Sequence, residues 1–254
     1  MKKLNLSILI LVLIVAASVK INAQTDVYSV TGGELLFQSA EISFTDAYTQ
    51  ANPNHVQVGN PLRFTCFFHV GQYVHMDFSD NLGLFTGMAI RNVGFISDER
   101  LDPDNTGTVS DYKIIRRSYM LGVPLALKLG SFKNHTFIFA GGEFEFNIIY
   151  KEKYWNSVDR EGEKVKNVDW FGNQTPLLIP SLFAGIQFPG GINVKFKYYL
   201  ENFIDNTATS TNPVFDLTRY EQTQVMYISL SYMINTKNMT KKGREGSPEK
   251  FASL

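Results

Sequence analysis

The sequence predicts an all-β protein, a closed antiparallel up-and-down transmembrane barrel of about eight strands behind a cleaved N-terminal signal peptide. Three features lead there. The chain opens with an export signal, eight segments alternate apolar and polar residues with period two, and the links between those segments alternate long and short.

The signal comes first. Lys2 and Lys3 precede an apolar run from Leu6 to Val19, about 14 residues, the length of a signal-peptide core and too short for a spanning helix. Ile21-Asn22-Ala23 supplies the small residue needed for cleavage before Gln24. Residues 1–23 are therefore assigned to the signal peptide, 24–235 to the barrel, and 236–254 to a polar, disordered periplasmic tail bearing Lys241-Lys242-Gly243-Arg244 and Pro248. After the signal no apolar run reaches spanning-helix length. Entry into a membrane therefore requires a closed barrel, the other structure that satisfies every backbone polar group in lipid.

The eight alternating segments are roughly Ser29–Phe44, Pro61–Phe78, Leu82–Ile96, Tyr112–Leu129, His135–Tyr150, Pro176–Phe188, Ile192–Ile204 and Thr223–Ile234. Ser79-Asp80-Asn81, Gly130–Asn134 and Pro189-Gly190-Gly191 form tight links. Thr45–Asn60, Ser97–Asp111, Lys151–Thr175 and Asp205–Gln222 are long and polar. Transmembrane barrels show this asymmetry of short periplasmic turns and longer external loops. The seventh segment alternates most cleanly, with Ile192, Val194, Phe196, Tyr198 and Leu200 opposite Asn193, Lys195, Lys197, Tyr199 and Glu201. The eighth sets Met226, Ile228, Leu230, Tyr232 and Ile234 against Thr223, Ser229 and Ser231. The first is the weakest, with Gln38 among otherwise apolar alternates. Pro124 and Pro180 fall inside segments and cannot donate ladder hydrogen bonds, so bulges are expected there.

A soluble ligand-binding barrel would turn the apolar face inward. Small residues on the opposite face (Gly83, Gly87, Ala89, Gly122, Ala126) and segments of about 12–18 residues favour the membrane instead. A lysine or arginine facing lipid at mid-depth costs about 2–4 kcal/mol. Lys195 and Lys197 must therefore face inward and meet Glu143, Glu145, Glu201 or Glu41. The expectation is a lumen network of carboxylates with Arg63, Arg91, Arg116, Lys128, Lys195 and Lys197.

Composition narrows function. Removing Lys2, Lys3 and Lys20 from the 24 basic residues leaves 21 against 24 acidic ones, without the basic excess of a nucleic-acid binder. One cysteine, Cys66, forms no internal disulfide, and 20 Phe with 12 Tyr suit strands and interfacial girdles.

Three stretches carry a family likeness. Gly83-Leu84-Phe85-Thr86-Gly87, Arg117-Ser118-Tyr119-Met120-Leu121-Gly122-Val123-Pro124 and Phe183-Ala184-Gly185-Ile186-Gln187 resemble segments of the PorT-like outer-membrane β-barrel family of Bacteroidetes, as does the signal ending in Ala23-Gln24. The resemblance implies an outer-membrane barrel and, because one member is tied to secretion of other proteins, an accessory role in a secretion system. It supplies no catalytic residues.

Direct chemical signals are few. There is no Gly-x-Ser-x-Gly elbow. His55, His69, His75 and His135 read as interfacial or lumen histidines, and Asp102–Gly107 departs from a calcium loop at Thr106 and Lys113. Trp155 and Trp170 read as interface anchors. Glu143 and Glu145, about 7 Å apart on one face, read as structural ion-pair partners rather than an acid–base pair. The expected function is non-enzymatic, a structural or binding role through the long extracellular loops, with no cofactor or metal site. Outer-membrane lipid is the expected partner, with other envelope or secretion proteins beside it and no nucleic acid. The alternatives are an accessory secretion component and a lipid-modifying outer-membrane enzyme.

Overall fold

The structure is a computed structural model that describes residues 25–102 and 106–235, so the signal peptide and the polar tail lie outside the described residues. The strands are β1 (Asp26–Phe44), β2 (Val56–Gly59), β3 (Arg63–Thr65), β4 (Val70–Asp77), β5 (Leu82–Leu101), β6 (Ser110–Ser131), β7 (Thr136–Trp155), β8 (Lys164–Trp170), β9 (Leu178–Gln187), β10 (Ile192–Tyr199) and β11 (Tyr220–Asn235). A helix, α1 (Asp46–Ala51), lies between β1 and β2, capped by Thr45. All pairings are antiparallel. The ring runs β1, β4, β5, β6, β7, β9, β10, β11, and closes where β11 pairs with β1 from Val30–Asn235 to Ser43–Gln222. Eight wall positions close the barrel, and both described ends and the three tight turns share one rim. That rim is the periplasmic one by loop length.

The extra strands come from two wall positions that are interrupted. β3 pairs with β1 and β2 pairs with β5, so the chain from 56 to 77 is one wall strand broken at 66–69. β8 and β9 both pair with β7, and the chain leaves the wall between them at 171–177. The stretch expected as an unstructured loop, Lys151–Thr175, thus holds the top of β7 and all of β8. The seventh segment is shorter than expected: β10 ends at Tyr199, and Phe203 and Ile204 turn into the core.

The two prolines make no bulges. β5 and β6 keep the same register on both sides of Pro124, but the ladder skips the proline, and the Thr86 hydroxyl donates to its carbonyl at 2.7 Å. The register shift of β6 lies higher and against β7, at Tyr119/Met120. Pro180 pairs opposite Phe144 without a shift, just beyond the last β9–β10 pair. In the tight β9–β10 turn, Gly190 and Gly191 take φ of 81° and 91°, the left-handed region where glycine carries no Cβ penalty.

Outward-facing side chains form a belt. Leu125, Leu127 and Leu129 on β6, Ile138 and Phe144 on β7, Leu182 and Ile186 on β9, Val194 and Phe196 on β10, and Ile228, Leu230 and Tyr232 on β11 are all exposed. Soluble monomers rarely show contiguous apolar patches beyond a few hundred Å². A closed ring with this surface is built for hydrocarbon. The belt ends partway up the long strands. On β5 the outward residues Met88 and Ile90 are exposed, whereas Asn92, Gly94, Ile96 and Asp98 are buried beneath the folded-back loop and neighbouring wall. Above that level the β5 side of the wall is coated by protein.

Beside the break, β3 pairs with β1 but forms no ladder with β5, and a side chain fills the place. Gln38, on β1 and wholly buried, donates to the Asn92 carbonyl at 3.1 Å and accepts from the Gly94 amide at 2.9 Å. Its amide plane thereby makes the two bonds a strand residue would make. Gln38→Ala leaves the Gly94 amide buried without its partner, at about 1–3 kcal/mol, while Arg63 still donates to the Asn92 carbonyl. The expected result is a lower urea midpoint for the folded, heat-modifiable band, with Gln38→Glu intermediate. An unchanged midpoint for the alanine variant would show that the bridge contributes no stability.

Candidate functional site

The lumen is filled in layers. The middle layer is ionic. Arg91 (β5) donates to Glu34 (β1) at 3.0 and 3.3 Å, to Glu145 (β7) at 3.1 Å and to Glu143 (β7). Lys195 (β10) meets both oxygens of Glu34 at 3.1 Å, and Lys197 meets Glu143 at 2.7 Å and Glu145 at 2.8 Å. The Tyr73 hydroxyl donates to Glu34, and Tyr199 donates to Glu145. All these groups are buried. Three cations face three carboxylates, so the layer is formally neutral, as a low-dielectric interior demands.

Above this layer lies an apolar one, with Leu36, Val93, Phe95, Met120, Ile179 and Phe203. A second ionic cluster follows. Glu99 (β5) takes Arg219 at 3.1 Å, His55 at 3.3 Å and Ser97 at 2.6 Å. Arg116 (β6) donates to the Tyr220 hydroxyl at 2.7 Å and stands 3.6 Å from Glu152. Arg219 also donates to the carbonyls of Pro213 and Val214 at 3.1 and 3.0 Å. These bonds pin the chain between β10 and β11 across the extracellular mouth. Val214, Phe215 and Leu217 are buried there, and the Phe215 ring meets Tyr154 at 5.0 Å.

The periplasmic end is open. A cavity of about 670 Å³ enters from this rim, with Tyr73, His75, Phe85, Phe137, Phe139 and Phe183 on its walls and Arg91, Glu143 and Lys195 at its floor. Its volume lies within the range of small-ligand pockets. Near the rim Lys128 is buried against Asp77, the Tyr28 hydroxyl at 2.9 Å and His75 Nδ1 at 3.1 Å.

The nine residues assigned to one lumen network divide into several groups. Arg91, Glu143, Glu145, Lys195 and Lys197 meet in the middle layer. Arg116 belongs to the upper cluster and Lys128 to the periplasmic rim, each with its own acids. Among the described residues, Arg63 joins no carboxylate. It lies on the covered outer side, donating to the Asn92 carbonyl at 3.1 Å and side-chain oxygen at 2.7 Å. Glu201 is exposed, because β10 ends two residues earlier and the alternation no longer applies. Glu41 is exposed on the outward parity of β1, and the acid on the inward parity is Glu34. Trp155 is buried with Ile96 and Ile115 rather than anchored in lipid, whereas Trp170 is exposed.

Sequence reasoning missed Glu34, Asp77, Glu99, Glu152 and Arg219. Glu34 shares its parity with Gln38, so the odd polar residue of the weakest segment was the available signal. The others fell in stretches read as loop or strand end.

One imidazole meets a hydroxyl in a way that resembles a catalytic pair: His69 Nε2 lies 2.9 Å from Thr65 Oγ1. The Asn92 amide donates to His69 Nδ1 at 3.3 Å, which leaves the ring proton on Nε2. His69 therefore donates to Thr65 and is not its base.

No family model matches the chain, and no curated protein matches it. Solved structures are similar to it in fold, among them the outer membrane protein OprG. The attachment invasion locus protein Ail of Yersinia pestis, solved in complex with the heparin analogue sucrose octasulfate, aligns at 11% identity over 82% of this chain and 98% of that one, with a TM-score of 0.33. OprG from Pseudomonas aeruginosa aligns at 12% identity over 82% and 95%, with a TM-score of 0.27. The strand ring and its belt carry the architectural conclusion by themselves: this is a bacterial outer-membrane β-barrel.

Two outcomes follow. Arg91→Met leaves three buried carboxylates with two lysines and should destabilise the barrel by about 3–5 kcal/mol, partly recovered by adding Glu143→Gln; urea titration of the folded band measures both. At the mouth, burial alone raises the Glu99 carboxyl, but Arg219, the His55 hydrogen bond and Arg116 outweigh it and hold the group well below its ordinary value of 4.5. A depressed carboxyl stabilises the fold fully above its unfolded value and loses that contribution as pH falls. The segment 205–219 should loosen below pH 4.5, seen as faster hydrogen exchange after correction for intrinsic rates. Equal protection at about pH 6 and about pH 3 would contradict the link.

Proposed function

We propose that the protein is a non-enzymatic, non-conducting outer-membrane barrel with a structural or binding role, its extracellular loops forming a rigid face above the membrane. The observation that supports this most directly is the filled lumen: a neutral ionic layer at mid-depth, an apolar layer above it, and the segment before β11 pinned over the mouth by Arg219. An eight-stranded barrel has an interior that side chains just fill. The loops are held as well: β2 lies on β5, and β8 extends β7. Such a face suits binding on a fixed scaffold.

Planar-bilayer recordings of the refolded chain should show no large stable pore. A variant lacking 206–218 should remain non-conducting, because the ionic layer lies beneath the mouth. Steady single-channel conductance from either protein would count against the proposal.

A second reading, an accessory role in protein secretion, is favoured by the PorT-like resemblance together with the cavity that opens toward the periplasm. The three segments that carry the resemblance lie in the wall on β5, β6 and β9. Crosslinking from intact envelopes that yields no reproducible protein partner would remove this reading.

A further inference from the structure

Inside the barrel the basic side chains meet carboxylates. On one outer face they do not. Directly opposed residues in an antiparallel pair share a face, so the ladders place Arg117 beside Lys151, and Lys153 beside Lys166, outward on β6, β7 and β8. Lys164 opposes Trp155 in the same ladder. Among the described residues, none of Arg117, Lys151, Lys153, Arg160, Lys164 or Lys166 forms an ion pair with a carboxylate, whereas neighbouring Lys113 takes Asp98 at 2.8 Å. Glu152, between Lys151 and Lys153, points inward to Arg116, and the acids of the connecting loop, Asp159, Glu161 and Glu163, are exposed.

Like charges opposed across a ladder destabilise it. Lys153 records the crowding: burial first, then Arg117, Lys164, Arg160 and Arg63, push its ammonium down to about 8. The indole of Trp155 collects three of the cations, Lys153 at 4.8 Å, Arg160 at 5.7 Å and Lys164 at 5.9 Å, and Lys151 stands 4.9 Å from the Tyr119 ring.

The height of the patch selects its occupant. Going up β6 the outward residues run Leu125, Val123, Leu121, Tyr119, Arg117. Up β7 they run Phe144, Phe146, then Ile149, Lys151, Lys153 beyond the register shift. Trp170 and Phe171, both exposed, continue the aromatic row on the neighbouring strand position. Apolar belt, aromatic row and cations thus follow one another within about 7 Å per two residues. That order matches hydrocarbon, interface and headgroup. We propose that this outward face of β6, β7 and β8 binds the phosphate groups of an anionic outer-leaflet lipid, with Arg117, Lys151, Lys153 and Lys166 as ligands and Trp155 holding the cations in place.

The inference rests on the outer-membrane placement, which heat-modifiable migration reads separately. The test uses the mature chain refolded in zwitterionic detergent, with bis-phosphorylated lipid A as the probe and native mass spectrometry as the readout. Dephosphorylated lipid A and a soluble sulfated oligosaccharide serve as comparisons. Phosphorylated lipid A should bind clearly tighter than the dephosphorylated form. The triple variant K151Q/K153Q/K166Q should lose about a hundredfold in affinity at low salt, from roughly fivefold per surface cation, while K151R/K153R/K166R keeps it. Equal binding of the two lipids, or unchanged affinity in the glutamine variant, overturns the proposal. Tighter binding of the sulfated oligosaccharide than of lipid A also overturns it and reassigns the patch to a soluble glycan. If the glutamine variant fails to migrate as folded, the arginine variant and the two lipids with the unaltered chain still decide.

Discussion

In hydrocarbon no water can complete an open strand edge, so the wall of this barrel must close on itself at every level that touches lipid. The continuous pairing of β1 with β11 meets most of that demand. The two local faults are repaired by side chains. At Pro124 the missing amide is met by a skipped pair, and the Thr86 hydroxyl serves the carbonyl. At the break after β3 the Gln38 amide reaches across to β5 and makes a donor and an acceptor bond as a peptide would. Larger liberties are taken higher up. There β5 carries loop residues rather than lipid on its outward face, and β8 joins β7 as an additional ribbon. The irregular parts of the molecule are those freed from the bilayer's requirement.

The same exclusion of water governs the inside. A buried unpaired charge costs several kcal/mol even after relaxation, and each interior layer is accordingly balanced within itself. Arg91 and the two lysines of β10 face Glu34, Glu143 and Glu145, while Arg116 and Arg219 face Glu99 and Glu152. Balance of this kind ties five wall strands and the segment before β11 together around the axis, because the partners come from β1, β5, β6, β7 and β10 and from Arg219. Small residues on the inward parity make room for these side chains. A Cβ on Gly122 would collide with the Glu143 carboxylate. The lumen is thus a packed core with polar layers, and an aromatic cavity opens at its periplasmic end.

Period-two alternation made the wall legible, since it depends only on a lipid face and an interior face. The clean segments, β10 and β11 above all, show the expected faces. Alternation stops being informative where lipid stops being the neighbour. Ile204 keeps the apolar parity of β10, yet it and Phe203 are buried beyond the end of the strand, and Glu201 loses its expected interior place. Lys164–Trp170 reads as loop because it is polar on both sides, being solvated on one and hydrogen-bonded to Glu152 through Asn167 on the other. Arg63 follows the inward rule by sign of charge alone, but its strand is three residues long and lies beside the break, so its parity is set by the Asn92 side chain and not by the barrel. Glu34 was hidden because its strand mixes polar and apolar residues on both faces.

Interior balance also gives meaning to the one imbalance. If the cations on the outer face of β6–β8 were only solubilising, alternating signs would serve the strands better, since opposite charges across a ladder attract and like charges repel. Lys113 and Asp98, one ladder position away, show that the sequence places an acid where a pair is wanted. The unpaired set begins one outward residue above Tyr119 and faces away from the barrel, where no lumen carboxylate can reach it. A surface that keeps repelling charges together at the rim of a lipid belt is stabilised only when something anionic lies against it. In an outer membrane the molecule always present at that height is the lipid headgroup.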